Sequence, residues 1–232
     1  MAAPAAPEFD PLDDWDEPPR LYFSGVEVLH LLASVVVLTV AFSLILSRAS
    51  GDFGPQAINV AALLRALPYA ALTVVPAFIL HELAHKVVAQ RRDMFAEFRA
   101  NFYGLVGGLI LTELSGLLFA IPGAVVIYGA ADKRDAGVIS IVGPGVNLVL
   151  GYGAMVLHVL FPRAAHGVVA NAGVGSIFEL VALMNAILAA FNMLPVPPLD
   201  GSKVWKWSKL GFAGAWLLVV ALFLFVLGPV AL

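Results

Sequence analysis

The chain has 232 residues, of which 61% are hydrophobic and only 12% charged, with a net charge of -3 and a mean hydropathy of +0.93. A soluble globular chain is about half apolar and about a quarter charged, so the composition reads as an integral, multi-pass membrane protein. It has no cysteine, which excludes disulfides and thiolate ligands. No basic patch with interleaved aromatics suggests nucleic-acid binding.

Residues 8 to 17, EFDPLDDWDE, hold six acids and no base. Such a tail cannot bury a core, and residues 1–24 are expected to be disordered. The start lacks a basic n-region and a cleavage site, so no signal peptide is expected. Apolar runs of about 20 residues predict spanning helices. They fall near 28–47, 66–89, 140–161, 173–191 and 211–230. The run 104–128 is less uniform and is broken at Pro122 and Gly123. After the break, AVVIYG, ADKRDAG and VISIVG follow. Two runs rich in β-branched residues around a polar turn predict a hairpin, tolerated at membrane depth where protein or water covers its edge.

Charge sets the topology. If 104–128 re-enters rather than crosses, the inner segments hold Arg20, Lys86, Arg91, Arg92, Arg99, Lys133, Arg134, Lys203, Lys206 and Lys209. The outer loops then hold only Arg48, Arg65 and Arg163. The expected fold is an all-α polytopic membrane protein of about five to six transmembrane helices, with a re-entrant element and a small membrane-associated β-hairpin or sheet. Its amino terminus lies inside, and residues 25–232 form one domain.

The stretch FILHELAHKVVA, residues 78 to 89, places two histidines and a carboxylate at the end of an apolar span. Ionisable groups there are costly and mark function. HELAH fits H-E-x-x-H. On a helix, His81 and His85 share a face one turn apart and can present ring nitrogens to one Zn²⁺. Glu82 sits beside them, which suits a base acting on water at the metal. A chance match on an amphipathic helix is the bland alternative. Two histidines need a third ligand, and the acids in apolar context are Glu113, Glu179 and Asp200. Glu113 has no second ligand at helical spacing. Glu179 shares a span with Asn185 and fits a hydrogen bond inside a bundle. Asp200 lies in FNMLPVPPLDG, residues 191 to 201, where prolines stiffen the path to a helix start. There the alternative to a ligand is a helix N-cap.

HELAH followed by NMLPVPPLDG resembles the site-2 protease family of intramembrane zinc metalloproteases. That family carries an H-E-x-x-H helix and, later, an N-x-x-P-x-x-x-L-D-G segment. Asn192, Pro195, Leu199, Asp200 and Gly201 fit in register. The intervening GPGVNLVLG, residues 143 to 151, resembles the family's G-P-x-x-N motif. HELAHKVVAQRRDMFAEFRA and FAIPGAVVIYG are similar to archaeal members. The resemblance covers about 66–210, the expected catalytic core. It implies that His81, His85 and Asp200 bind one zinc per chain and that Glu82 is the general base. It also implies that Asn147 and Asn192 orient the substrate or stabilise an oxyanion. The implied activity is hydrolysis of single-span membrane protein substrates within the bilayer, at a site nearer the cytoplasmic side of a prokaryotic membrane. Ser202 departs from a second glycine that many members carry after L-D-G, and no PDZ or CBS-like module is visible. The alternatives are a catalytically silent zinc-binding membrane protein and an ion or proton transporter.

Overall fold

The computed structural model describes residues 21–48, 58–118, 121–128, 131–161 and 176–228. Helix α1 spans Gly25–Ser47 and is capped by Ser24, whose side chain accepts from the Glu27 amide. Helix α2 spans Val60–Gln90 and begins at the Asn59 cap. It crosses Pro68 and Pro76 before reaching the histidines. A turn at 91–94 leads to strand β1, Phe95–Ala100. Helix α3, Phe102–Ser115, follows, and then strand β2, Gly123–Tyr128. Asp132 caps α4, Lys133–Leu160. The remaining helices are α5, Ile177–Asn192, α6, Asp200–Trp207, and α7, Lys209–Leu227.

Four helices, α1, α2, α4 and α7, are long and apolar enough to cross a membrane. Helices α3 and α5 are apolar but shorter. The expected span 173–191 is therefore a helix of 16 residues, about 24 Å at 1.5 Å per residue. Its first positions, 173–175, lie outside the described residues, as do 1–20 of the expected acidic tail.

The expected hairpin is corrected. β2 pairs antiparallel with β1, in the register Ala100↔Gly123 to Phe95↔Tyr128, not with VISIVG. Residues 138–143 lie inside α4 instead. The Asp132 carboxylate accepts from the Asp135 amide at 2.7 Å and starts a helix that runs through the whole β-branched stretch. Local β propensity loses to packing, because α4 is the central helix, touching α2, α5, α6 and α7. The true partner, FAEFRA, is concealed by its charges. Glu97 and Arg99 pair with each other, and Glu97 also accepts from Ser24.

The antiparallel pairing fixes where the chain between the strands begins and ends. The Asn101 amide donates to the Pro122 carbonyl at 3.0 Å, so the chain leaves β1 and enters β2 at one level. α3 extends about 21 Å from it. At its far end Arg48, just past α1, pairs with Glu113 and donates to the Glu113 carbonyl, capping the α3 C-terminus. Glu113, one of the acids weighed as a ligand, is thus an ion-pair partner.

Buried polar groups tie the sheet to the helices. Lys86 and Glu27 are each 1% exposed and pair at 2.5 Å. The other Glu27 oxygen accepts from the Phe98 amide at 2.9 Å. α1, α2 and β1 therefore meet one residue beyond His85. The apolar core of this region includes Leu38, Phe42, Val74, Phe78, Phe98 and Leu180.

Candidate metal centre and active site

His81 and His85 lie on one face of α2, four residues apart, with ring centroids 4.7 Å apart. Asp200 reaches them from the first turn of α6. Its Oδ2 lies 3.1 Å from His85 Nε2 and 3.5 Å from His81 Nε2, and the two Nε2 atoms are 3.0 Å apart. Leu199, not Asp200, occupies the N-cap position, with no side-chain capping bond. Asp200 is thus free of the capping role that was its bland alternative.

The partners on the far sides of the rings determine what the near sides present. His85 Nδ1 lies 2.7 Å from the Ile139 carbonyl. A carbonyl only accepts, so Nδ1 carries the proton and neutral Nε2 presents a lone pair. His81 Nδ1 lies 2.6 Å from Asn147 Oδ1. Asn147 Nδ2 donates to the Ala77 carbonyl at 3.0 Å and to Asn185 Oδ1 at 2.9 Å. With both N–H groups placed, Oδ1 is the atom left for His81, whose Nε2 is again the lone-pair atom. With both rings neutral, two imidazole lone pairs and a carboxylate oxygen converge with no proton between them. Such a set is repulsive by itself and calls for a cation. The 3.0–3.5 Å spacings are close to the roughly 3.3 Å between tetrahedral ligands held at about 2.0–2.1 Å from one zinc. A second observation agrees. A Cβ at Gly143 of α4 would lie 2.3 Å from His85 Nε2 and 2.7 Å from His81 Cε1. The glycine leaves open the space immediately beside the convergent nitrogens. The residues fit a zinc ion.

Glu82 is buried, and its Oε2 has no hydrogen-bond partner among the described residues. An orphaned carboxylate oxygen is expensive in a core, and expected where a reaction uses it. Glu82 lines an open cleft. The cleft walls include His81, His85 and Asp200, the strand residues Gly123, Ala124, Val125 and Ile127, and Asn192. Asn192 donates one N–H to the Leu188 carbonyl at 3.1 Å. β2 is the edge of a two-stranded sheet, so it presents backbone groups that β1 does not use.

The expected site residues thus come together, with one difference. Asn147 is 0% exposed and commits both N–H groups to Ala77 and Asn185, which leaves none for an oxyanion. Glu179 is elsewhere. It forms a capping box with Ser176 and lies 3.3 Å from His158. The sequence reading did not find the parts played by Gly143, the Ile139 carbonyl and Asn185. Spacing held some of the signal, because Gly143 and Asn147 are four apart on one helix. Pro144 cannot donate to the Ser140 carbonyl, which interrupts the α4 ladder beside the carbonyl that receives His85. Gly201 explains the L-D-G glycine. A Cβ there would lie 2.2 Å from the Met193 carbonyl oxygen, so only glycine lets α6 pack close enough to deliver Asp200.

Comparison with known proteins points the same way. The model of peptidase family M50 matches residues 159–209, which contain the Asn192–Gly201 segment. A candidate zinc metalloprotease of Methanocaldococcus jannaschii, MJ0611, is 37% identical over 141 residues, 59% of this chain and 68% of that protein. A candidate zinc metalloprotease of Bacillus subtilis, YwhC, is 32% identical over 151 residues, 60% of this chain and 68% of that protein. Another, Rip3 of Mycobacterium tuberculosis, is 30% identical over 147 residues, 61% of this chain and 32% of that protein. No solved structure matches the chain significantly. On this similarity, and with apolar helices carrying a zinc-type ligand set, the chain belongs to peptidase family M50, the site-2 type of intramembrane zinc metalloprotease.

Proposed function

We propose that His81, His85 and Asp200 hold one zinc ion per chain, that Glu82 is the general base, and that the substrates are single-span membrane proteins cleaved within the bilayer. The observation that carries this is the convergence of two imidazole lone pairs and a carboxylate beside the unpartnered oxygen of Glu82. Zinc, when bound, supplies a Lewis acid that polarises the scissile carbonyl and activates water. Glu82 Oε2 takes the water proton as the oxygen adds to the carbonyl carbon, and returns it to the leaving nitrogen as the C–N bond breaks. Asn192 donates its remaining N–H to the developing oxyanion. Asn147 acts behind His81 rather than on substrate. The open edge of β2 receives the unwound substrate by strand addition, which exposes carbonyls that a helix would shield.

The membrane arrangement we favour has five crossings, with α5 as the short one, and residues 102–121 re-entering. The return of the chain to the Asn101–Pro122 bond supports that reading. Arg91, Arg92, Arg99, Lys133, Arg134 and Lys203 cluster on the elements around the metal ligands, which supports a cytoplasmic active site. The silent-site and transporter alternatives are disfavoured by the intact Glu82 and by family membership. The test is cleavage of a single-span substrate by the purified chain, with and without chelator. Cleavage that survives complete metal removal would sink the proposal. Because the chain has no cysteine, single cysteines introduced at Lys133 and Arg65 can be labelled in intact cells. Labelling of the Lys133 position from outside would reverse the orientation.

A further inference from the structure

Asn185 lies on α5, two helical turns before Asn192, and is 1% exposed. It touches neither the cleft nor the metal ligands. Its Nδ2 donates to the Val181 carbonyl at 2.8 Å. That carbonyl can only accept, so the Asn185 amide is held with Oδ1 turned towards α4. There it accepts from Asn147 Nδ2 at 2.9 Å. The second Asn147 N–H goes to the Ala77 carbonyl of α2. An amide reversed at Asn147 would set its oxygen against two acceptors at once, Ala77 O and Asn185 Oδ1, each a buried repulsion. The orientation that remains points Asn147 Oδ1 at His81 Nδ1. An oxygen acceptor there requires Nδ1–H and leaves Nε2 unprotonated, facing His85 and Asp200.

We infer that Asn185 is a positioning residue of the metal centre, acting through Asn147 to hold His81 in the tautomer that offers Nε2 to the cation. The inference rests on the assignment of His81, His85 and Asp200 as ligands. It joins three helices in one chain of hydrogen bonds, in which His81 on α2 donates to Asn147 on α4, Asn147 to Asn185 on α5, and Asn185 to the Val181 carbonyl. Its role is distinct from packing. A leucine of similar volume would fill the site and still lose the acceptor that orients Asn147. Outer partners of metal-bound histidines affect affinity by about 10- to 100-fold. Asn185 stands one partner further out, and Ala77 shares its task, so the expected loss lies near the low end.

The experiment measures zinc affinity of the full chain in detergent by competition with a chromophoric chelator, and the absorption spectrum of its Co²⁺ form. Asn147→Leu is expected to weaken zinc binding by about 10- to 100-fold and Asn185→Leu by about 10-fold. The double variant should bind as Asn147→Leu does, within about twofold, because Asn185 acts only through Asn147. Asn185→Asp keeps an oxygen acceptor for Asn147 Nδ2 and should retain parent affinity and Co²⁺ spectrum. If Asn185→Leu does not fold, Asn185→Ala against Asn185→Asp makes the same comparison. Unchanged affinity in the leucine or alanine variant, or a loss that adds fully to that of Asn147→Leu, overturns the inference. So does a fall confined to the melting temperature of the metal-free chain, which would mark a packing role. A parent chain that binds no metal, or binds as well after His81→Ala, overturns the ligand assignment itself. That outcome is separate from a parent that binds while its Asn185 variants bind equally.

Discussion

Gly143→Ala is the sharpest single-atom test of the metal centre. The added methyl would lie 2.3 Å from His85 Nε2, 2.6 Å from His85 Cε1 and 2.7 Å from His81 Cε1. Ordinary carbon contacts begin near 3.5 Å, so the overlap is about 1 Å. Neither ring can simply swing away. His85 is held by the Ile139 carbonyl on the same helix as Gly143, and His81 by Asn147, one turn along that helix. Either α4 retreats from α2 or both rings turn. Both responses exceed the roughly 0.2 Å tolerance of a metal–ligand distance. Overpacking of this kind costs about 1–3 kcal/mol, and if all of it falls on the metal-bound state, zinc affinity drops roughly 5- to 150-fold. The control is Gly145→Ala, two residues on, where a methyl meets nothing within 4 Å. That change should bind zinc like the parent, with helix propensity favouring it by about 1 kcal/mol. The assay is chelator competition on both variants, with cleavage of a single-span substrate alongside. Parent-like zinc affinity in Gly143→Ala would mean that the imidazoles do not face α4, and the ligand geometry would fall with it.

Glu82→Gln should keep zinc and lose cleavage by about 10²- to 10⁴-fold, the range for removal of a general base; retained activity would remove Glu82 from that role. Asp200→Asn should reduce zinc occupancy measured by metal analysis, and unchanged occupancy would place the third ligand elsewhere. Chelator should abolish cleavage and added zinc restore it, read on the same substrate. Lys86→Met should destabilise the chain by about 3–5 kcal/mol, because Glu27 is left buried and unpaired, and Glu27→Gln in the same chain should recover most of it. An unchanged melting temperature in Lys86→Met would count against the buried pair. Proline placed separately at Val125 and Val126 removes one N–H facing β1 and one facing the open edge, since the two alternate along a strand. At least one of these variants should lose cleavage while keeping its zinc, and full activity in both would exclude strand addition at β2.

The proposed ligands were legible because their chemistry leaves a spacing. Two histidines four apart on a helix and an aspartate behind a proline-stiffened turn are local patterns, and His81, His85 and Asp200 do converge. The long apolar helices were legible for the same reason, since hydropathy is a property of a window. What stayed hidden is pairing between distant segments. VISIVG has the β-branched look of a strand, yet its place at the centre of four packing helices makes it helical. FAEFRA carries two charges in six residues, yet becomes β1 because Glu97 and Arg99 satisfy each other and Ser24 takes part. Neither outcome can be read from a window, because each depends on which surface arrives opposite. Asn147 shows the same limit at a single residue. Its motif marked it as important, but only its neighbours show that both N–H groups are used and that its oxygen faces His81.

Two histidines and a glutamate are costly in an apolar span. The structure answers that cost atom by atom. His85 Nδ1 is taken by Ile139, His81 Nδ1 by Asn147, and Asn147 by Ala77 and Asn185. The carboxylate of Asp200 is turned towards the two remaining ring nitrogens. Glu27 and Lys86, one residue further along α2, satisfy each other. Among the described residues of this polar cluster, the buried atom left unpartnered is Glu82 Oε2, and Glu82 is one of the residues that line the cleft. Two other buried side-chain atoms of the described residues lack a partner, Thr39 Oγ1 and Gln90 Nε2, but Glu82 Oε2 is the one carboxylate oxygen among the three. A bundle that merely tolerated polar residues would have paired Glu82 as it pairs Glu27, whereas the general base proposed here must be free to take a proton from water.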